Sequence, residues 1–194
     1  MDVAISEIPR YLEGFRLTLI LLGASGLAAL IIGTIVAAMR ISPVPALRGF
    51  AMVYTEALRN TPLTLILFFC AFILPYFGWN LDYLITAIIG LSVYTSTFVA
   101  EALRSGINGV PVGMVEASRS LGFTFSQTVS LIVLPQAFRM SVPPLINVFI
   151  ALTKNTSVAG AFFVAELFTI GKELVNSNGK AAFEILVGVA LFYL

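Results

Sequence analysis

The sequence contains no histidine and only one cysteine, Cys70. Without histidine the chain cannot hold a Ser-His-Asp triad or a His-Glu-x-x-His zinc site. A single cysteine allows no disulfide bond within the chain, and its apolar neighbours predict a buried, unreactive thiol. The Gly-x-x-x-x-Gly-Lys-Ser/Thr loop that binds nucleotide phosphates is missing as well, so the sequence offers no ATP site of that kind.

Charged residues are also scarce. They make up 11% of the chain, whereas soluble domains carry about 25%. The net charge is +1 and no run of lysine or arginine occurs, so nothing favours nucleic acid as a partner. The chain is instead 59% hydrophobic, with a mean hydropathy of +0.99. This composition predicts an integral membrane protein embedded in the lipid bilayer.

Apolar runs occur at five places along the chain. A helix rises about 1.5 Å per residue and the hydrocarbon core is about 30 Å thick, so a span needs about 20 residues. Four runs approach or exceed this length, at residues 17–39, 61–79, 83–100 and 141–165. The last run, 181–194, has 14 residues, and we expect its helix to be cut short. The predicted fold class is all-α integral membrane, with about five transmembrane helices in one domain over residues 1–194.

The basic residues predict the orientation, because cytoplasmic links carry an excess of lysine and arginine. Links 40–60 and 104–139 together hold six arginines, and the opposite side holds four basic residues, at positions 10, 16, 172 and 180. We therefore expect both links in the cytoplasm and the N-terminus outside. The uncharged segment 120–138 is an alternative extra span, but its polar side chains, Gly122 and Pro135 disfavour that interpretation.

The segment 112–135 is unusually polar for this chain. A short helix is predicted over residues 112–121, with Pro111 near its first turn and Gly122 as its stop. The fixed letters are Glu116-Ala117-Ser118, then three residues, Gly122, nine residues, and Ile132-Val133-Leu134-Pro135. This spacing resembles the EAA loop of ABC-importer permeases at every position, with Ser118 in place of the third small residue.

The resemblance implies a type I importer permease fold with a short cytoplasmic coupling helix in a loop of about 104–139. In that family the coupling helix contacts an ATPase subunit, which implies coupling roles for Glu116, Ala117, Ser118, Arg119 and Gly122. The chain would then be no enzyme and hold no cofactor, with ATP bound and hydrolysed on two partner ATPases. A second permease, identical or paralogous, and an extracytoplasmic binding protein are the other implied partners in the cell membrane.

Three further stretches are similar to the polar amino acid subgroup of these permeases. They are YTEALRNTPLTLILFF, FVAEALRSGINGVPVG and LPQAFRMSVPPLINVFIALTKNTS, at residues 54–69, 98–113 and 134–157. The resemblance therefore implies import of a polar amino acid. Two other functions stay open from the residues alone: a stand-alone secondary transporter or channel using Lys154, Glu101 and Arg104, and a membrane anchor whose loop only docks another protein.

A charged side chain at the centre of a membrane helix costs at least about 2.5 kcal/mol, so Lys154 is a candidate functional residue. Asn147 lies two helical turns before it, and Ser157 follows it by three residues. We expect all three to line a substrate path, with Lys154 attracting a carboxylate, which points weakly to glutamate. The alternatives are that Lys154 pairs with an acid such as Glu101 or reaches the outer interface. Glu101 and Arg104 are further path candidates, although the favoured role for them is a structural ion-pair network at the cytoplasmic mouth, with each other or with Arg59 and Glu56.

Overall fold

The computed structural model describes residues 6–193, and this part of the chain contains helices and connections but no strand. The α-helices are α1 Ile8–Ile41, α2 Pro45–Arg59, α3 Leu63–Phe68, α4 Tyr83–Asn108, α5 Val112–Ser120, α6 Phe125–Gln127, α7 Leu134–Asn155, α8 Leu167–Ser177 and α9 Ala182–Tyr193. Two π-helical turns, Phe69–Ile73 and Thr128–Val133, and three 3₁₀ segments, Leu74–Phe77, Thr156–Phe162 and Gly179–Ala181, extend or connect them.

Three helical runs among the described residues are long and apolar enough to cross a membrane: Ile8–Ile41, Tyr83–Asn108 and Phe125–Phe162. The predicted spans 17–39 and 83–100 lie inside the first two, which continue beyond their apolar cores into charged ends. A fourth candidate is the pair Pro45–Arg59 and Leu63–Phe77, which is bent by 100°. The bend falls at Pro62, because proline disfavours the helical conformation of the residue before it.

The segment 120–138 is not a separate span. From Phe125 onward it forms the first turns of the helical run that ends at Phe162, so the predicted start of the fourth span at residue 141 is too late. Within the described residues it therefore forms no separate helix of its own. Thr124, the residue before Phe125, caps the start of the run with its side chain. The uncharged polar residues that follow lie on the first turns of the run.

Each of the two π-helical turns ends shortly before a proline. Phe69–Ile73 ends two residues before Pro75, and Thr128–Val133 ends two residues before Pro135. Proline donates no N–H and its ring crowds the carbonyl four residues earlier, so a regular α-turn cannot pass through it unchanged. The wider π-turn is one of the local adjustments that lets a helix continue past such a position.

The described residues fall into two compact units, and the first combines residues 6–27, 61–92 and 151–193. Its core is formed by six buried residues of α1, α8 and α9: Tyr11, Leu167, Ile170, Leu174, Ile185 and Val189. A Cβ atom at Gly14 would lie 2.9 Å from both Ile170 Cγ1 and Leu167 Cα. Glycine therefore allows α1 and α8 to approach this closely.

Glu166 is the fully buried acid of this first unit, and it caps α8. Its carboxylate accepts the backbone N–H groups of Phe168 and Thr169, both at 2.8 Å. It also accepts the Thr169 hydroxyl at 2.8 Å and the Tyr193 hydroxyl at 3.0 Å. Thr18 of α1 accepts the N–H of Leu167 at 3.1 Å. The first turn of α8 thus joins α1 and α9 through hydrogen bonds.

The second unit combines residues 28–60 and 93–150. Its buried core consists of small side chains, Val36, Ala37, Ala51 and Ala100, which bring α1, α2 and α4 together. A Cβ at Gly33 would lie 2.6 Å from Val99 Cβ, so α1 and α4 touch through a glycine. This agrees with the general use of small residues between membrane helices.

We predict that Glu166→Gln destabilises the protein by about 1–3 kcal/mol, because an amide cannot accept all four hydrogen bonds and leaves buried donors unpaired. The measurement is the thermal unfolding midpoint in detergent. Glu173→Gln is the matched control, since Glu173 is half exposed and pairs with Arg10 at the surface, a contact of little stability. Equal midpoints for the two variants would contradict the role assigned to Glu166.

Candidate functional site

The short helix α5 has well-defined ends. Pro111 precedes it in extended conformation, with φ −60° and ψ 130°. At the other end Gly122 has φ +87°, the N–H of Gly122 donates to the Arg119 carbonyl at 3.0 Å, and the N–H of Phe123 donates to the Ser118 carbonyl at 3.1 Å. These two bonds form a Schellman motif, which requires a left-handed residue at Gly122. The predicted stop at Gly122 is confirmed.

The coupling candidates of the sequence lie on two faces of α5. Glu116, Ala117 and Arg119 are exposed, as is Gly122 after the helix. The Glu116 carboxylate lies in no ion pair with any residue of the described chain, so its charge is available to a partner. Ser118 is buried and faces the protein. The site residues therefore divide into four outward-facing positions and one inward-facing position.

A four-residue corner connects α5 to the helical run that begins at Phe125. Its far end is a capping box, in which Gln127 N donates to Thr124 Oγ1 at 3.3 Å and Thr124 N donates to Gln127 Oε1 at 2.9 Å. With the Schellman motif at its near end, both ends of the corner are fixed by reciprocal hydrogen bonds. The corner holds α5 at a defined angle to the run.

Large apolar side chains surround the exposed face of this loop. Val112 is 70% exposed, Leu121 79% and Phe125 73%, although each is fully apolar. Exposed apolar side chains grouped around an unpaired charge are typical of a protein interaction surface. The sequence analysis identified the motif letters but not these three residues; their position beside the motif in a polar loop was the signal that could have found them.

A second candidate site is a cluster of charges around Glu101 in α4. Its carboxylate contacts Arg104 in the same helix and lies 3.8 Å from Arg59 Nη1 and 3.9 Å from Arg40 Nη2. The pairing of Glu101 with Arg104 and Arg59 follows the structural alternative from the sequence. Arg40 is the member that was not predicted; its place as the first charge after the apolar run 17–39 was the signal that could have found it.

Neighbouring polar and aromatic groups hold these arginines in place. Arg40 donates to the hydroxyl of Thr55, which is itself fully buried. The guanidinium of Arg59 lies 5.3 Å from the centre of the Phe98 ring, within cation–π range. The Glu101 carboxylate thus gathers the ends of α1 and α2 onto α4, because it is within ion-pair distance of all three arginines.

The hydroxyl cluster Thr95–Thr97 behaves mostly as membrane hydroxyls do. Ser96 donates to the Val93 carbonyl at 2.8 Å and Thr97 to the Tyr94 carbonyl at 2.7 Å. Thr95 differs, because its buried hydroxyl has no hydrogen-bond partner among the described residues. Of the three residues, Thr95 is therefore the one whose hydroxyl remains available to a group outside its own helix.

The predicted path residues around Lys154 are accessible on the single chain. Lys154 and Asn147 are exposed and lie two turns apart on α7, and Ser157 is partly exposed. The Ser157 hydroxyl donates to the Lys154 carbonyl at 2.7 Å. Within residues 6–193 no carboxylate lies within ion-pair distance of the Lys154 ammonium.

Comparisons with known proteins all lead to transport proteins. The family described as binding-protein-dependent transport system inner membrane component matches residues 29–194. The chain is 39% identical to the probable glutamine ABC transporter permease protein GlnM of Bacillus subtilis (strain 168), over 100% of this chain and 89% of that protein. It is 40% identical to the glutamate transport system permease protein GluC of Corynebacterium glutamicum, over 96% and 87% of the two chains.

The fold has a counterpart among solved structures. A chain in the crystal structure of an amino acid ABC transporter with histidines superposes with a TM-score of 0.89 at 28% identity, covering 97% of this chain and 88% of that chain. The all-α importer-permease fold predicted from the sequence is therefore confirmed.

We predict that Glu101→Gln lowers stability by about 1–3 kcal/mol, because it leaves three guanidiniums together without an anion; the value is moderate since the cluster is partly exposed. The unfolding midpoint in detergent measures this. Glu13→Gln, which changes an exposed acid on α1 outside this cluster, is the control and should have little effect. Adding Arg104→Gln to Glu101→Gln should recover part of the loss, and a further loss instead would contradict charge repulsion as its cause.

Proposed function

Since the chain belongs to the family of inner-membrane components of binding-protein-dependent transport systems, we propose that it forms the amino acid path of an ATP-driven importer. The family is one of ABC permease subunits, so the chain is a membrane transport subunit and not an enzyme, as the sequence predicts. The observation that supports the mechanism best is the exposed, unpaired Glu116 on a short helix with rigid ends.

In this proposal the outward face of α5 contacts an ATPase subunit. Glu116, Ala117, Arg119 and Gly122 supply the polar contact, and Val112, Leu121 and Phe125 supply the apolar surface around it. Ser118 lies on the buried face of α5 and holds the helix against the rest of the protein. ATP binds to a pair of ATPase subunits, and their closure moves α5 because the corner that follows it is fixed at both ends.

The orientation follows from the basic residues. We place the N-terminus outside and the loop 104–139 in the cytoplasm, where an ATPase is available. Arg40, Arg59 and Arg104 surround one carboxylate at the ends of α1, α2 and α4, and in this orientation their cluster lies towards the cytoplasmic side. We infer that Glu101 and Arg104 shape the inner mouth of the path rather than a central binding position.

Lys154, Asn147 and Ser157 are the proposed substrate contacts. An exposed ammonium without an acidic partner can bind the α-carboxylate of an amino acid by a charge-assisted hydrogen bond. The exposed side of α7 then faces a second permease, identical or paralogous, which completes the wall of the path. A binding protein delivers the substrate from outside. The named relatives favour glutamine or glutamate, and the lysine favours an acidic or polar amino acid of that size.

The test is reconstitution in vesicles with the ATPase and the second permease, measuring uptake of labelled amino acid with and without ATP. Uptake that depends on ATP and on the binding protein supports the proposal. Flux driven by a gradient through this chain alone would establish the stand-alone transporter instead. Docking of an ATPase without any flux would establish the membrane anchor.

We predict that Glu116→Lys reduces both ATPase co-purification and ATP-driven uptake by about tenfold or more, because a reversed charge at a docking surface weakens the complex by at least about 1.4 kcal/mol. Glu13→Lys is the control, since Glu13 is also an exposed acid but lies on α1, remote in sequence from the loop. Normal ATPase binding by Glu116→Lys would show that α5 is not the docking helix.

We predict that Lys154→Met lowers uptake at low substrate concentration by about tenfold, because a charge-assisted hydrogen bond to the substrate carboxylate is lost. Folding and ATPase assembly should be unchanged, since Lys154 has no ion-pair partner within the described chain. Lys172→Met, an exposed lysine on α8, is the matched control. Uptake by Lys154→Met within about twofold of the unaltered protein would remove Lys154 from the path.

A further inference from the structure

The inner face of α5 carries a hydrogen bond to the helical run. Ser118 Oγ lies 3.1 Å from Thr128 Oγ1 and donates to it. Both residues are buried, with exposures of 4% for Ser118 and 1% for Thr128. The bond joins the last turn of α5 to the first residue of the π-helical turn Thr128–Val133. The two residues are ten positions apart in sequence, so the bond links α5 to the run directly and not through the backbone of the corner.

The two hydroxyls depend on this bond to different degrees. Ser118 Oγ is also 2.8 Å from the carbonyl of Val115, so its proton has a second acceptor within α5. The Thr128 hydroxyl has Ser118 as its hydrogen-bond partner and makes no bond back to its own helix among the described residues. Ser130 and Ser141 in the same run do bond back, to the carbonyls of Ser126 and Ala137, both at 2.8 Å. Thr128 is therefore oriented towards α5 and would be unpaired without it.

The position of the bond gives it mechanical importance. The π-helical turn is a local departure from the α-helix, and such turns often mark places where helices adjust during function. Here the turn lies between the capped start of the run at Thr124 and the proline at 135. Movement of α5 reaches this turn by two routes, the backbone corner and the Ser118–Thr128 bond.

We propose that the Ser118–Thr128 hydroxyl pair is a positioning contact that transmits the movement of α5 to the π-helical turn at the start of the run. The proposal rests on the proposed function and assigns a specific role to Ser118, the residue at which the loop motif departs from its usual small apolar letter. Alanine at this position would keep the helix narrow but would leave the Thr128 hydroxyl without its partner.

The experiment measures amino acid imported per ATP hydrolysed by the complete importer in vesicles, together with ATPase co-purification and the unfolding midpoint. Thr128→Val keeps the shape and removes the hydroxyl, whereas Thr128→Ser keeps the hydroxyl and removes a methyl group. We expect Thr128→Val and Ser118→Ala to lower the transport ratio about fivefold, the lower end of common coupling strengths. ATPase binding should stay normal, and Thr128→Ser should retain the ratio of the unaltered protein.

Further variants distinguish transmission from general damage. The double variant Ser118→Ala with Thr128→Val should lower the transport ratio no further than the more damaging of the two single variants. Both changes remove the same hydrogen bond. Ser130→Ala is the control, since its exposed hydroxyl bonds within its own helix. An unchanged ratio in Thr128→Val, or an equal fall in Thr128→Ser and Ser130→Ala, would overturn the proposal. If the unaltered protein shows no ATP-dependent uptake at all, the proposed function fails instead.

Discussion

Polar groups within a bilayer must find their partners inside the protein, because lipid offers no hydrogen bonds. Two carboxylates meet this constraint in different ways. Glu101 lies among three arginines and gathers the ends of α1 and α2 onto α4. Glu166 lies at the N-terminus of α8 and accepts hydrogen bonds from backbone and hydroxyl groups. Each acid organises the helices of its own compact unit, and the remaining apolar packing follows from where these helices are joined.

The two solutions have different consequences for function. The four donors around Glu166 use the acceptor positions of a carboxylate fully, so it has no capacity left for a substrate amine or a proton relay. The cluster around Glu101 has more cations than anions at close range, and its arginines are partly exposed. In the proposed function, the excess positive charge of this cluster attracts a passing carboxylate. Burial alone therefore does not make an acid a path residue. The number of its acceptor positions that already have hydrogen-bond partners decides whether it can bind anything else.

The sequence predicted elements whose cause is local. Charge-free length identified the long apolar helices α1 and α4 but not α2 or α8. The glycine at 122 correctly marked the end of α5, because a left-handed residue closes the Schellman motif there. Contacts between distant segments could not be predicted this way. The role of Arg40 beside Glu101 depends on α1 and α4 touching at Gly33, and the capping role of Glu166 depends on where the apolar run before it ends. The continuity of the run from Phe125 through Pro135 was missed, because a proline was taken to end the helix before it.

The proposed function requires α5 to move as a rigid unit, and the division of this short helix into two faces is compatible with that role. A helix of nine residues is marginal by itself in water and would absorb a push by unfolding. Here its end is closed by two backbone bonds, the corner is fixed by a capping box, and Ser118 joins its buried face to Thr128. The outer face is then free to carry exposed charge and apolar surface without any structural duty. In the proposed function, these separate faces let α5 dock an ATPase subunit with one face while the other fixes it to the helical run.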